Sequence, residues 1–393
     1  LRSDPTQPLS SQARRLIEEK GDRTEIEWLT PEQRFNEKLA TPDVSVADLI
    51  GDLDPIKAMS QSLSFSDEMA IHYGIIPRTN RGIFAINELP DLQPRIQVSL
   101  LNIMEEKDVQ IRGFPVRIPL DILMVFTANP EDYTNRGNII TPLKDRIDAQ
   151  ILTHYPHSLQ DAMAITRQEA WTARNNGKLI IPEYVEMLVA QIAEEARKSE
   201  YVDQTSGVSA RMNISLLETL HSAIERRTLR TGDPVGVCRM CDLYSAVPAI
   251  SGKVELVFKG EQEGLLSVSN YLIGRAVREL FNRICVQGYR PGSDRKLNPE
   301  PYREIIGWFE GGHHLELADD FPNGDYFRTL DQVPGLRQVA EKKVKPPDQL
   351  QLATAMEFIL EGLSLHHLIS KKVDRKGVKY VDSLESMMVK PEV

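Results

Sequence analysis

RGIFAINELPDL, residues 81–92, sets a short apolar run directly before a carboxylate. The run Gly82–Ile86 has four apolar residues in five and reads as a buried strand. A strand covered on both faces has no structural use for a terminal carboxylate, so Asn87 and Glu88 need another reason. In parallel α/β sheets, ligands sit beyond the carboxyl ends of the strands. The sequence therefore delivers Asn87 and Glu88 to the edge of a binding site.

The flanking segments build a sheet around this strand. LQPRIQVSLLNIMEEKDVQ, from Leu92, places Ile96, Leu100, Ile103 and Met104 at helical spacing. VQIRGFPVRI alternates apolar and polar residues around Gly113 and Pro115, a hairpin signature. ILMVFTANP is a second apolar strand that ends in polar residues. The order strand, helix, hairpin, strand predicts a parallel sheet covered by helices, with both apolar strands fully buried. If the two strands are neighbours, Asn129 reaches the same edge as Glu88. Arg146 follows in TPLKDRIDAQI after a helical turn started by Pro142. A carboxylate, an amide and a guanidinium at one edge suit hydrolysis of a phosphoanhydride. The carboxylate orients water, the amide steadies it or the γ-phosphate, and the arginine neutralises developing charge. Each motif alone is more simply a polar strand end, a turn or a surface cation; their order together favours the site.

Elsewhere the chain reads as mostly helical. SSQARRLIEEKG has a Ser start and a Gly stop. LQDAMAITRQEAWTARN, PEYVEMLVAQIAEEARKS and ARMNISLLETLHSAIERRTLR form a second, all-helical unit. KVELVF, near 253–258, is expected as a short strand, and LSVSNYLIGRAVRELFNRI resumes helix. GYRPGSDRKLNPEPY is linker-like, and PDQLQLATAMEFILEGLSLHHLI is helical again. Three divisions follow: an α/β core over 1–155, a helical lid over 156–290 and a mostly helical C-terminal extension over 291–393.

Bulk properties narrow the field. The chain has 393 residues, 41% hydrophobic and 26% charged, as in ordinary soluble proteins. A net charge of −10 argues against nucleic-acid or membrane binding by gross electrostatics. No apolar run approaches the roughly 20 residues that span a bilayer, and no signal peptide is visible, so a cytoplasmic location is expected. Three cysteines fit a reducing compartment. Cys238 and Cys241 form one C-x-x-C without the second pair that structural zinc would want, and read as ordinary thiols. The adjacent pairs His313-His314 and His366-His367 point apart on any regular element and make poor chelates. Trp28, Trp171 and Trp308 are scattered and form no stacking platform.

From Ile50 to Ile151 the chain resembles the AAA+ ATPase module of the magnesium chelatase I-subunit and MoxR-like group. RTNRGIFAINELPDL resembles the approach to the Walker B strand, and IGDLDPIKAMSQSLSFSDEMAIHYGIIPRTNRG the helix-2 insertion before it. The helix at 96–106 and the hairpin VQIRGFPVRIP resemble the helix and pre-sensor hairpin. FTANPEDY resembles sensor 1, TPLKDRIDAQI the arginine-finger segment, and SGVSARMNIS, at 206–215, the sensor 2 motif. The resemblance is dense over about 100 residues and looser to about 230. It implies a P-loop AAA+ core, a parallel sheet with helices on both faces, incomplete at its N-terminus, with ATP and Mg²⁺ as ligands. Glu88 would be the catalytic Walker B glutamate, Asn129 sensor 1, Arg146 a finger reaching the next subunit's nucleotide, and Arg211 the sensor 2 contact to the γ-phosphate. Arg78 and Arg81 are either contacts to a neighbouring subunit or solvated charges. The resemblance further implies a homo-oligomeric ring, expected as a hexamer, and a partner with a von Willebrand A-type domain.

Two departures matter. Where the family has Asp-Glu, this chain has Asn87-Glu88; the amide removes one negative charge near Mg²⁺ and holds its water through a hydrogen bond. There is also no G-x-x-x-x-G-K-[ST]: the only GK dipeptides are Gly177-Lys178 and Gly252-Lys253, and neither fits the motif. The chain begins LRSDP without Met, and a fragment lacking the first strand and P-loop is the preferred expectation. A non-hydrolysing regulatory or scaffold subunit is the alternative. A transcription activator of the σ54 class, also AAA+, is disfavoured because neither a GAFTGA-type loop nor a helix-turn-helix is visible.

Overall fold

The computed structural model describes residues 4–54, 56, 59, 70–111, 117–129, 137–174, 178–291, 297–373 and 377–383. The hairpin tip at 112–116, most of the insertion at 55–69, Pro130–Tyr133 of FTANPEDY and Gly177 lie outside these. The chain divides into two compact units, Leu1–Thr153 and His154–Val393.

Unit 1 opens with helix α1, Ser11–Lys20, capped by the Ser10 hydroxyl and ended by Gly21 at φ 52°. Its sheet is β1 (Phe35–Leu39), β4 (Ile83–Asn87) and β7 (Leu123–Phe126), in the order β1-β4-β7 and all parallel. The register pairs Ile86 with Phe126. The two apolar strands are thus neighbours, as the site required. β1 was not expected, because FNEKL sits in a mixed polar region and owes its strand state to hydrogen bonding along β4. Strands β2 (Gly51–Leu53) and β3 (Ile71–Tyr73) form an antiparallel pair, as do β5 (Asp108–Gln110) and β6 (Arg117–Pro119). The latter pair is the expected hairpin.

One sheet face is packed. Phe84 and Ile86 are fully buried and share a core with Ile96, Leu100 and Ile103 of helix α2, Pro94–Glu105. Pro94 pre-sets the first turn of α2, and the i, i+4, i+7 spacing of the three residues turns one face inward. Burial of side chains of this size stabilises by about 1.5–3 kcal/mol each. The opposite face differs from expectation: Ile83, Leu123 and Val125 alternate onto it and are exposed, Leu123 at 59%. A strand has period two, and among the described residues α2 covers only one side.

Unit 2 packs helices α4 (Leu159–Glu169), α5 (Glu183–Lys198), α6 (Arg211–Thr231), α7 (Met240–Ser245), α8 (Leu265–Cys285), α9 (Asn323–Leu330) and α10 (Gln349–Leu365). Two-residue strands β8 (Leu179–Ile180) and β9 (Gly236–Val237) pair in parallel. The main core runs from Val185 to Tyr380, and a small second cluster joins Ala162, Met163 and Ala190. KVELVF is not a strand: Leu256 makes an isolated bridge to Val202, and a helix starts at Phe258. The C-terminal part holds an antiparallel sheet, β10 (Leu315–Ala318), β12 (Gly377–Val381) and β11 (Ser370–Val373), in that spatial order. No helix among the described residues is long and apolar enough to cross a membrane.

Candidate functional site

The end of β4 is held in an unusual backbone state. Glu88 lies in the left-handed region at φ 58°, ψ 49°. For a non-glycine residue this costs on the order of 1 kcal/mol or more, and such strain persists where neighbours over-determine it. The neighbour is Thr127, the residue after β7. The Glu88 N–H donates to Thr127 Oγ1 at 3.1 Å. The Leu89 N–H donates to the Thr127 carbonyl at 2.9 Å. Thr127 Oγ1 in turn donates to Asn87 Oδ1 at 3.4 Å. Thr127 thus fixes where the strand ends and how Glu88 leaves it. Thr127 sits inside the FTANPEDY stretch, yet its hydroxyl carried no signal apart from that context.

Asn87 also reaches sideways: its amide Nδ2 donates to Glu37 Oε2 of β1 at 3.4 Å. Glu37 is exposed, on the open face. Asn87 thus has two carboxylates beside it, Glu37 of mid-β1, opposite Ala85, through its amide and Glu88 next in sequence. That donor set fits a hydrated Mg²⁺, which keeps several waters and takes one or two carboxylates plus substrate phosphate oxygens. It does not fit a metal cage, and the described residues contain no group of three or more His, Cys, Asp or Glu placed to form one. Asn129 follows two residues after Thr127 and is exposed at the same edge.

Arg146 ends α3, Thr141–Asp145. Its guanidinium is anchored within its own chain. Nε donates to Glu105 Oε2 at 2.8 Å, Nη1 donates to the Pro142 carbonyl at 2.9 Å, and Nη2 closes the ion pair with Glu105. The loop before α3 is pinned by Gln97, a buried α2 side chain. Gln97 Nε2 donates to the carbonyls of Leu92 at 2.8 Å and Asn138 at 3.1 Å, and its Oε1 accepts from Ile140 N–H at 2.9 Å. The structure thus brings Asn87, Glu88 and Asn129 to one edge and docks Arg146 separately on the last turn of α2.

Arg211 belongs to unit 2, as the exposed first residue of α6. Arg81, at φ 60°, pairs with Asp4 at 3.3 Å, and Arg78 Nε donates to the Gly74 carbonyl at 3.2 Å. Cys238 and Cys241 are thiols in unit 2, and burial pushes both well above the ordinary thiol range.

Residues 60–151 match the Sigma-54 interaction domain family. No curated protein matches the chain. Similar solved structures include a Cytophaga hutchinsonii protein, an ATPase by description, at 19% identity over 61% of this chain and 76% of that one, with a TM-score of 0.27. NtrX from Brucella abortus is similar at 14% identity over 63% and 52%, with a TM-score of 0.38. A complex of subunits BchI and BchD of magnesium chelatase, built on a cryo-EM reconstruction, is similar at 19% identity over 58% and 72%, with a TM-score of 0.28. The α/β arrangement of unit 1 is of the AAA+ type, as expected. The family match does not single out the chelatase and MoxR-like group; it falls on the σ54-associated class that the sequence reading disfavoured.

Proposed function

We propose that the chain carries the hydrolytic residues of an AAA+ ATPase that hydrolyses ATP in an oligomeric ring, its phosphates cradled by a P-loop that is not among these 393 residues. The observation that carries this reading is Glu88, held beyond the end of β4 by Thr127 of the parallel neighbour β7. Glu88 takes a proton from the attacking water and aims it; Asn129 steadies that water or the γ-phosphate. Glu37 and Asn87 would accept hydrogen bonds from the waters of a bound Mg²⁺, which would supply positive charge to the phosphates, and Glu37 would add the negative charge that Asn87 lacks. Arg211 takes the sensor 2 role toward a γ-phosphate. Arg146 acts in trans, on a nucleotide held by the next subunit, after exchanging Glu105 for phosphate oxygens. A ring, in the hexameric form, is on this reading obligatory for turnover.

The output is rearrangement of a partner protein, with a von Willebrand A-type domain protein as the first candidate. Insertion of Mg²⁺ into a porphyrin is the narrower form of this proposal. A second reading, contact with a σ54-type transcription factor, is favoured by the family match over residues 60–151 and opposed by the lack of a GAFTGA-type loop in the sequence. The full-length protein offered to each partner class, with ATP turnover as readout, separates them: the partner that accelerates turnover is the client. Turnover that neither partner nor Mg²⁺ changes favours the scaffold alternative.

A further inference from the structure

Unit 2 contains a cleft of about 400 Å³ at the meeting of β9, α9 and α10. This volume lies in the range of small-molecule sites. One wall holds Arg239, a guanidinium only 2% exposed. Its Nη2 donates to the Phe321 carbonyl at 2.6 Å and to Asn323 Oδ1 at 3.2 Å, and its plane lies over the Tyr326 ring at 4.3 Å. Its Nε and Nη1 are buried without a hydrogen-bond partner. Buried donors left unmade are costly, and a buried charge without a counter-ion is costlier.

The nearby carboxylates feel the Arg239 charge, Asp242 and Asp319 among them, but none is hydrogen-bonded to its Nε or Nη1. Asp242 binds Arg227 through both oxygens at 3.0 Å and accepts the Arg239 backbone N–H. Glu357 accepts from Met240 N–H and the Tyr326 hydroxyl, and burial raises it to about 7. Asp325 pairs with Arg328, Asp348 caps α10, and Asp233 accepts the Asn323 N–H. Burial likewise raises the Asp319 carboxyl. No ion pair joins Arg239 to any described acid. The cleft also receives the N-terminal turns of two helices, α9 at Asn323 and Gly324 and α10 at Gln349 and Leu350. Both termini are already met by acids, Asp233 at Asn323 and Asp348 at Gln351, so they shape the cleft and the cation that faces a ligand is Arg239. Val237, Phe327 and Leu350 supply an apolar wall.

We propose that this cleft binds a small amphipathic monocarboxylate, its carboxylate against Arg239 and its apolar body against Phe327 and Leu350. The two unmade donors, Nε and Nη1, match the two oxygens of one carboxylate; a phosphate monoester, near −2 at neutral pH, would bring a second negative charge with no cation to meet it. The site is separate from the proposed nucleotide chemistry and stands whether or not that chemistry holds.

The test uses 3-phenylpropionate, its neutral amide and inorganic phosphate, titrated calorimetrically into the protein at pH 7.5. The acid binds and raises Tm; the amide and phosphate bind at least tenfold more weakly. Arg239→Gln weakens the acid at least tenfold. Because that variant also loses the bond to Phe321, Gly324→Leu is the second: Gly324 lines the cleft, and a Cβ there meets nothing within 4 Å, so the fold tolerates added bulk at the cleft wall. It too loses at least tenfold, with circular dichroism unchanged. Equal binding of acid and amide, tighter binding of phosphate, no binding of the acid, or undiminished binding by a folded Gly324→Leu protein overturns the proposal.

Discussion

The Glu88 N–H donates to Thr127 Oγ1 at 3.1 Å across two parallel strands. This bond and its companion from Leu89 to the Thr127 carbonyl hold Glu88 at positive φ. Thr127→Val keeps the shape and removes the acceptor. The Glu88 N–H lies near solvent, so stability changes by about 1 kcal/mol or less. Hydrolysis falls about tenfold, the loss expected when a general base is displaced by a fraction of an ångström. Thr127→Ser restores it. Steady-state ATPase assays and urea denaturation read both effects, and equal turnover in Thr127→Val would show that the bond does not position Glu88.

Strain at Glu88 predicts a divergence of stability and activity. Glu88→Gly relieves the left-handed penalty and offsets part of the gain by loosening the unfolded chain, for a net stabilisation of up to about 1 kcal/mol. Its hydrolysis falls on the order of 10²-fold or more, as for loss of a general base. Glu88→Gln slows hydrolysis similarly while nucleotide binding persists. A Glu88→Gln protein with undiminished turnover refutes the assigned role.

On the proposed reading, release of Arg146 from Glu105 is a step with its own free energy. Both side chains are partly exposed, so the pair contributes little to stability. Glu105→Ala leaves Tm within a degree or two and frees Arg146; turnover then rises or the concentration for half-maximal turnover falls. In mixed rings, Arg146→Ala subunits are partly rescued by Glu88→Gln subunits, because the two defects lie on opposite sides of one interface. No rescue in any mixing ratio counts against action in trans.

Gln97→Leu tests the anchor before α3. It leaves the Leu92 and Asn138 carbonyls and the Ile140 N–H without their partner. A loss of about 2–4 kcal/mol follows for several buried groups left unpaired. Chemical denaturation of unit 1 reads it; a loss under about 0.5 kcal/mol would mean that water replaces the glutamine.

Glu357 gives unit 2 a pH dependence of definite sign. Its folded value is raised from 4.5 to about 7 by burial. Between those values the unfolded chain has released the proton and the folded chain holds it, so stability falls as pH rises from 4.5 to 7. The contribution is fully present below the lower value and gone above the upper. Glu357→Gln keeps an oxygen for Met240 N–H and Tyr326 and removes this dependence. Denaturation midpoints for the two proteins should therefore approach each other at pH 4.5 and diverge by pH 8, the variant being the more stable.

The parts legible in sequence are those whose signal is local. GIFAI and ILMVF announce strands by apolar runs, VQIRGFPVRI announces a hairpin by alternation, and Ser10 and Gly21 bracket α1. Asn87, Glu88 and Asn129 followed from where such strands end. The strand FNEKL was hidden because its state is set by lateral pairing with Ile83–Asn87, not by its own composition. LELA was missed for the same reason, as its partner GVKYV lies about 60 residues on; GVKYV itself also forms a local hairpin with SKKV. KVELVF has a strand's composition, but tertiary packing leaves it one bridge and a helix start. Arg239 reads as a surface cation in any sequence scan, and only the packing of Tyr326 and Phe321 around it reveals a buried charge. The docking of Arg146 on Glu105 spans 41 residues and has no local signature.

The central claim is that Glu88 and Arg146 serve one reaction from two subunits. The most direct measurement is ATPase rate per subunit against protein concentration, with and without Mg²⁺, on the full-length protein. The account predicts a Mg²⁺-dependent rate per subunit that rises with concentration and levels off as rings fill. A flat background rate from a folded, nucleotide-exposed protein at every concentration would contradict it.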